Sequence, residues 1–373
     1  MMHQISRRAL IGAASAGTAL ALASRAGAQT AAPAAKPLFG PAPGVAQLSR
    51  NENPYGPSPR AIEAMAAAAP KGSYYADVAA ERLTAMIAER HGVTPQQVVI
   101  GSGSTEILSA IALAWKDKGA ILCPGLFWDT TVLYAAKKGA TVKRVPLKAD
   151  MSVDLDSMLA AVSPDVGMIH LCNPNNPTAM LIDGDALRAF IAKVPPTIPI
   201  LIDEAYNELT TRPDHASVIG SLKAHPNLIV ARTFSKIYGM AGLRIGYALA
   251  SEANAETMGS YLMSFGGNSA GLAAAIASYD DTAFTTFSKG RILEARGMIL
   301  DAVKKAGLTA APSETNFVFV KVADANAVQK AMAARNILIR GAYGEWNHWS
   351  RVSTGRIEDV KRYCEALPQV VGA

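Results

Sequence analysis

The chain has 373 residues, of which 50% are hydrophobic and 18% charged, with 30 glycines and 21 prolines. That balance provides for a large globular domain plus a smaller one and confines disorder to an end. The formal charge is +6, but Arg7, Arg8 and Arg25 lie in residues 1–28, which hold no Asp or Glu, so +3 remains, dispersed over the rest. No Lys/Arg stripe interleaves with aromatics, which argues against a nucleic-acid groove. Cys123, Cys172 and Cys364 are too few and too widely spaced for a disulfide framework or a zinc site.

The first segment, Ser6-Arg7-Arg8-Ala9-Leu10-Ile11-Gly12, leads into an apolar run of small residues and then Arg25-Ala26-Gly27-Ala28. A charged region, an apolar region and an Ala-x-Ala-like end are the parts of a secretory signal, and paired arginines point to the twin-arginine route. Residues 1–28 are therefore expected to be a signal peptide and the protein periplasmic. An uncleaved anchor or an untargeted tail is the alternative, although the apolar run is short for a membrane span. Residues 29–44, rich in Ala and Pro, read as a linker.

From Val98 onward, short β-rich runs alternate with helical stretches: Val98–Ile100, Ala120–Cys123, Val166–Cys172, Ile198–Asp203, Leu228–Ala231 and Ile245–Leu249. This alternation predicts a mostly parallel sheet covered by helices on both faces, with ligand groups at the carboxyl ends of the strands. Past about Phe265 the pattern changes to a long helix near Lys289–Ala306 and strands at Asn316–Val322 and Ile337–Arg340, which suggests a smaller α/β domain. The expected division is an arm at 45–60, a large domain at 61–265 and a small domain at 266–373.

Polar groups follow the strand runs. Gly103-Ser104-Thr105-Glu106 opens a helix straight after a strand, where free N–H groups and the helix dipole suit an anion, or where Ser and Thr merely cap. Asn173-Pro174-Asn175-Asn176-Pro177-Thr178 is a tight turn and, taken alone, only that. Leu201-Ile202-Asp203-Glu204-Ala205-Tyr206 delivers a carboxylate to the sheet edge, or else an N-cap aspartate with a packed tyrosine. Thr233-Phe234-Ser235-Lys236 continues through glycines to Arg244, placing an amine flanked by small residues near a cation suited to a bound anion. Near the end, Arg351 offers a guanidinium fork that binds a planar carboxylate; an exposed arginine is the plain alternative for it and for Arg340.

In this order the motifs resemble the fold-type-I class I/II aminotransferases, and especially the histidinol-phosphate aminotransferase family, from about residue 45 to the end. The resemblance implies pyridoxal 5′-phosphate (PLP) on Lys236, with the lysine amine joined to the cofactor's aldehyde and later moving the substrate proton. It implies that Asp203 keeps the ring nitrogen protonated, so that the ring acts as an electron sink. It also implies that Tyr206 and Asn176 bond the ring oxygen, and that Ser104, Thr105, Thr233, Ser235 and Arg244 hold the phosphate. Trp128 in Pro124-Gly125-Leu126-Phe127-Trp128 would stack on the ring, with Phe127 as the alternate. Tyr75 would reach the cofactor phosphate of a second subunit. Tyr55 of the arm, Asn316, Arg340 and Arg351 would line the substrate site, Arg351 for a carboxylate and Arg340 for a distal phosphate. No metal is expected. The chain departs from the family pattern at Ala179, where Gly is usual, and at Ala76, where Pro is usual.

The resulting expectation is a homodimeric transaminase that moves an amino group from an amino acid or amine, histidinol-phosphate-like, to a 2-oxo acid such as 2-oxoglutarate. An exported enzyme would seldom meet a biosynthetic phosphate ester, which keeps other amino donors in play. A PLP decarboxylase or lyase on the same fold, or a non-catalytic binding protein, is the alternative.

Overall fold

A computed structural model describes residues 37–263 and 267–372. The predicted signal peptide, the linker up to residue 36 and the predicted domain boundary at 265/266 lie outside the described residues. From residue 43 onward the chain clusters as one compact unit.

In chain order the arm strand β1 (Ala46–Gln47) is followed by α1 (Pro59–Ala68), α2 (Asp77–His91), β2 (Val98–Gly101), α3 (Ser104–Ala114), β3 (Ala120–Pro124), α4 (Thr130–Ala136) and β4 (Val142–Val145). Then come α5 (Leu155–Ala160), β5 (Val166–Cys172), α6 (Gly184–Lys193), β6 (Ile200–Asp203), α7 (Pro213–Ala216), β7 (Leu228–Thr233), β8 (Gly246–Leu249) and α8 (Glu252–Gly259). The remainder is α9 (Ser269–Tyr279), α10 (Thr282–Lys305), β9 (Thr309–Ala310), β10 (Phe317–Lys321), α11 (Ala325–Ala333), β11 (Ile337–Leu338), β12 (Trp349–Ser353) and α12 (Ile357–Val371). Helix starts carry the expected side-chain caps: Ser58, Asp183, Asn268, Asp281 and Asp324 each accept a first-turn N–H.

The large sheet has seven strands in the order β2-β8-β7-β6-β5-β3-β4. β8 runs antiparallel to both neighbours and the other pairings are parallel, so the expected mostly parallel sheet is present. β5 reads as a continuous apolar run because both its faces are covered. On one side Ile169, Leu171, Ile200 and Ile202 pack with Leu83 of α2, Leu187 of α6 and Leu272 of α9. On the other, Met168, Leu201 and Ile229 pack with Ile107 and Ile111 of α3 and Met258 of α8. β4, Val142-Lys143-Arg144-Val145, forms the edge beside β3 and extends the predicted set of strands.

The C-terminal part contributes the antiparallel sheet β12-β10-β9 with α10, α11 and α12 over it. The arm belongs structurally to this part: β1 pairs in parallel with β11, and Ala46 and Leu48 are fully buried among Val318, Val352 and Val360. The arm therefore runs from this body toward the carboxyl edge of the large sheet. Among the described residues no helix is long and apolar enough to cross a membrane.

Candidate functional site

Parallel β2, β3, β5, β6 and β7 end at one edge of the sheet, and antiparallel β8 begins there. The turns at that edge surround a cavity of about 740 Å³. Ser104, Thr105, Trp128, Asn176, Asp203, Tyr206, Thr233, Ser235, Lys236, Arg244, Arg340 and Arg351 all line it. A smaller cavity of about 380 Å³, beside α5 and α6, contains none of these.

One end of the large cavity is built for an anion. α3 starts at Ser104 after Gly103, which adopts φ 76° and supplies no side-chain cap, so the first-turn N–H groups keep their donor capacity. A Cβ on Gly103 would stand 2.1 Å from Nη2 of Arg244, and one on Gly246 would stand 2.2 Å from the Ser104 nitrogen, so both glycines admit a close approach that no side chain allows. Arg244 Nη1 donates to Ala241 O at 2.8 Å, which holds the guanidinium against α3. Thr233 Oγ1 and Ser235 Oγ, 2.9 Å apart, complete this end.

Asp203 closes β6, 4% exposed, with Oδ1 accepting the Ala205 N–H at 3.1 Å. Burial pushes its carboxyl up to about 7, against the downward pull of that N–H and of Lys236. Lys236 is partly buried; its Nζ donates to Asn51 O at 3.3 Å and lies 5.4 Å from the centre of the Tyr206 ring. Burial, assisted by Arg351, lowers its ammonium to about 8, so near neutral pH the amine is within reach of both protonation states. Tyr206 stands edge-on to Phe317 at 5.1 Å, and its phenol is pushed upward by burial.

A second wall of the cavity comes from the small sheet. Arg351 in β12 is 7% exposed; Nη1 donates to Asn176 Oδ1 at 2.6 Å and Nη2 to Ser49 O at 2.8 Å. Arg340 pairs with Arg351 through the backbone, and the Tyr343 ring lies against both guanidiniums, 5.2 Å from Arg340 and 5.6 Å from Arg351. Phe127 and Trp128 both line the cavity; Phe127 is 3% exposed with its ring edge-on to His170 at 5.0 Å, and Trp128 is partly buried.

Three predicted residues do not line the cavity. Tyr55 turns toward α10 and α12, its ring edge-on to Phe287 at 5.7 Å and its hydroxyl accepting the Ile357 N–H at 3.3 Å. Asn316 is fully buried behind the arm, with Nδ2 on Asn51 O at 3.0 Å. Tyr75 is 78% exposed just before α2. Ser49, Arg50 and Asn51 of the arm and Tyr343, none of them an expected site residue by itself, also line the cavity. Asn51 belongs to the same arm as Tyr55, and of the two Asn51 is the one that faces the cavity. Ala179 takes φ 65°, which accounts for the usual glycine at that turn.

The family model for aminotransferase class I and II matches residues 43–367. The chain belongs to the class I and II aminotransferase family. This aminotransferase is 37% identical over 333 residues to histidinol-phosphate aminotransferase 1 of Dechloromonas aromatica, covering 88% of this chain and 90% of that protein. It is 35% identical over 311 residues to an aromatic amino acid aminotransferase of Mycobacterium sp., covering 81% and 87%. Among solved structures it resembles histidinol-phosphate aminotransferase of Sinorhizobium meliloti in complex with PLP, with TM-score 0.82 and 32% identity over 87% of this chain and 90% of that one.

The cofactor of this aminotransferase is PLP, and the cavity suits it. The uncapped start of α3, Arg244 and the two hydroxyls match a phosphate. Asp203 is a buried carboxyl whose charged form burial disfavours, a penalty that a cationic ring nitrogen beside it would offset, and Lys236 supplies the amine on the same cavity.

Proposed function

We propose that this PLP-dependent aminotransferase takes its amino group from a donor bearing a second anionic group, of the histidinol-phosphate kind, and passes it to a 2-oxo acid such as 2-oxoglutarate. The observation that carries the proposal is the backbone pairing of Arg340 with Arg351 at the cavity, in addition to Arg244, which is held by Ala241 O beside the start of α3. Two guanidiniums side by side repel unless anions meet them, and each matches a carboxylate or phosphate fork. Arg351 is the group for the carboxylate of an amino or oxo acid, and Arg340 for the distal anion.

Bound PLP supplies an aldehyde carbon that condenses with amines and a ring that, when its nitrogen is protonated, withdraws electrons from the substrate carbon. In this reading Asp203 would hold the proton on that nitrogen, and Trp128, or Phe127 beside it, would pack against the ring. Tyr206 and Asn176 serve the ring oxygen. Lys236 Nζ, lowered to about 8 by burial, accepts the substrate proton as a free amine and returns it as ammonium. Thr233, Ser235, Ser104, Thr105 and Arg244 anchor the phosphate.

Tyr343 favours a second reading, in which an aromatic side chain of the donor packs against the ring that already lies over both guanidiniums. A donor panel decides. With PLP bound, a donor added alone should bleach the visible band and a 2-oxo acid should restore it; a decarboxylase or lyase would instead release product and recover its colour with no oxo acid. Arg340→Ala should lower kcat/KM for doubly anionic donors at least about tenfold while sparing neutral side chains, since a charge-assisted hydrogen bond is at stake. Equal losses across the panel, or preference for neutral aromatic donors in the parent, would overturn the first reading.

The same proposal makes the enzyme a homodimer, with exposed Tyr75 serving the site of a second copy. Export through the twin-arginine route to the periplasm rests on Arg7, Arg8 and the apolar run after them.

A further inference from the structure

Two side-chain amides reach the phenol oxygen of Tyr206: Asn51 Nδ2 at 3.0 Å and Asn176 Nδ2 at 3.4 Å. The orientation of each amide is set by its other contact. Asn176 Oδ1 accepts from Arg351 Nη1, and because a guanidinium only donates, the NH2 end is the one left for Tyr206. The second amide is locked by Ser353. Ser353 Oγ accepts the backbone N–H of Asn51 at 2.9 Å and gives its own proton to Asn51 Oδ1 at 2.7 Å. Reversing the amide would leave the proton of Ser353, a residue 1% exposed, without an acceptor among the described residues. The Asn51 backbone is anchored as well, at φ 57°, with its carbonyl taken by Asn316 Nδ2 and Lys236 Nζ.

A phenol has one proton and two acceptor directions. Here both acceptor directions meet N–H groups, and neither amide offers an oxygen to receive the phenol proton. If the Asn51 amide were reversed, that proton would turn to Asn51 Oδ1 instead. We propose that Asn51, clamped by Ser353, is a positioning residue that makes Tyr206 a one-way donor into the cofactor cavity. The inference rests on the PLP reading of that cavity and assigns a function to an arm residue and a β12 residue that sequence motifs did not single out.

The test is a pH titration of the visible band of the PLP-loaded protein. A proton donated by Tyr206 stabilises the negative ring oxygen most when no neighbouring proton shares its charge, so it lowers the pH midpoint of the band; loss of the donor raises it. Asn51→Gly tolerates the left-handed backbone and removes the amide. It should raise the midpoint by about half to one pH unit, the size of one directed hydrogen bond. Ser353→Ala should shift it in the same direction, and it tests the proposal independently should Asn51→Gly fold poorly. In a Tyr206→Phe background Asn51→Gly should move the midpoint no further. An unchanged midpoint in both single variants, or an equal shift with and without the Tyr206 hydroxyl, overturns the proposal. Absence of any visible band in the parent with PLP refutes the cofactor reading itself, and with it this inference, before any variant is compared.

Discussion

Gly103→Ala puts a methyl group where the Arg244 guanidinium now rests. The backbone at Gly103 has φ 76° and ψ 162°, a region occupied essentially by glycine, and forcing an L-residue into it costs about 1–3 kcal/mol. The new Cβ would also stand 2.1 Å from Arg244 Nη2 and 2.6 Å from its Cζ. The tip of an arginine can move, but moving it breaks the 2.8 Å bond from Nη1 to Ala241 O and withdraws a donor from the phosphate end. A charge-assisted hydrogen bond contributes about 1.5–3 kcal/mol, so PLP should bind roughly 10- to 150-fold more weakly. Titration of the apoprotein with PLP, followed by the visible band, gives the dissociation constant, while thermal melting of the apoprotein reports the backbone strain separately. Because both changes act on one guanidinium, combining Gly103→Ala with Arg244→Ala should weaken binding scarcely beyond Arg244→Ala alone. Unchanged PLP affinity in Gly103→Ala, or full additivity with Arg244→Ala, would refute the assignment of this corner to phosphate.

Asp203 carries a folded-state carboxyl raised to about 7 from an ordinary 3.8, so the folded apoprotein binds its proton more tightly than the unfolded chain does. Apoprotein stability should therefore fall as pH rises from about 4 to 7 and stay lowered above that. Asp203→Asn should melt higher than the parent at pH 8 as apoprotein, with the gap closing toward pH 4, yet lose affinity for PLP; calorimetry with and without cofactor checks both. Arg232 in β7 donates to Glu204 Oε2 through Nε at 3.1 Å and Nη2 at 2.7 Å, and Glu204 is fully buried. Arg232→Ala would strand that carboxylate and should cost about 3–5 kcal/mol in denaturant unfolding, while Arg232→Met with Glu204→Gln should recover a large part of the loss.

The parts of this fold that could be read from sequence are those whose burial repeats locally. β5 and β6 are covered on both faces and stand out as apolar runs, and the polar groups that follow them fall at the cavity because parallel strands end at one edge. β4 escaped because an edge strand keeps Lys143 and Arg144 partly in solvent, leaving only Val142 and Val145 as apolar markers. The arm shows where local reading ends. Asn51 acquires its place from Ser353, 302 residues away, and Tyr55 is drawn from the cavity by Ile357 at the same separation. No spacing rule reports contacts of that range, so the motif located the arm without saying which of its side chains faces the site.

Lys236 is the amine expected to carry the cofactor. Borohydride reduction of the PLP-loaded protein, followed by digestion and peptide mass spectrometry, tests that directly. The predicted result is a phosphopyridoxyl group on the peptide containing Lys236 and its loss in Lys236→Ala; a modification on another lysine, or none, would contradict it.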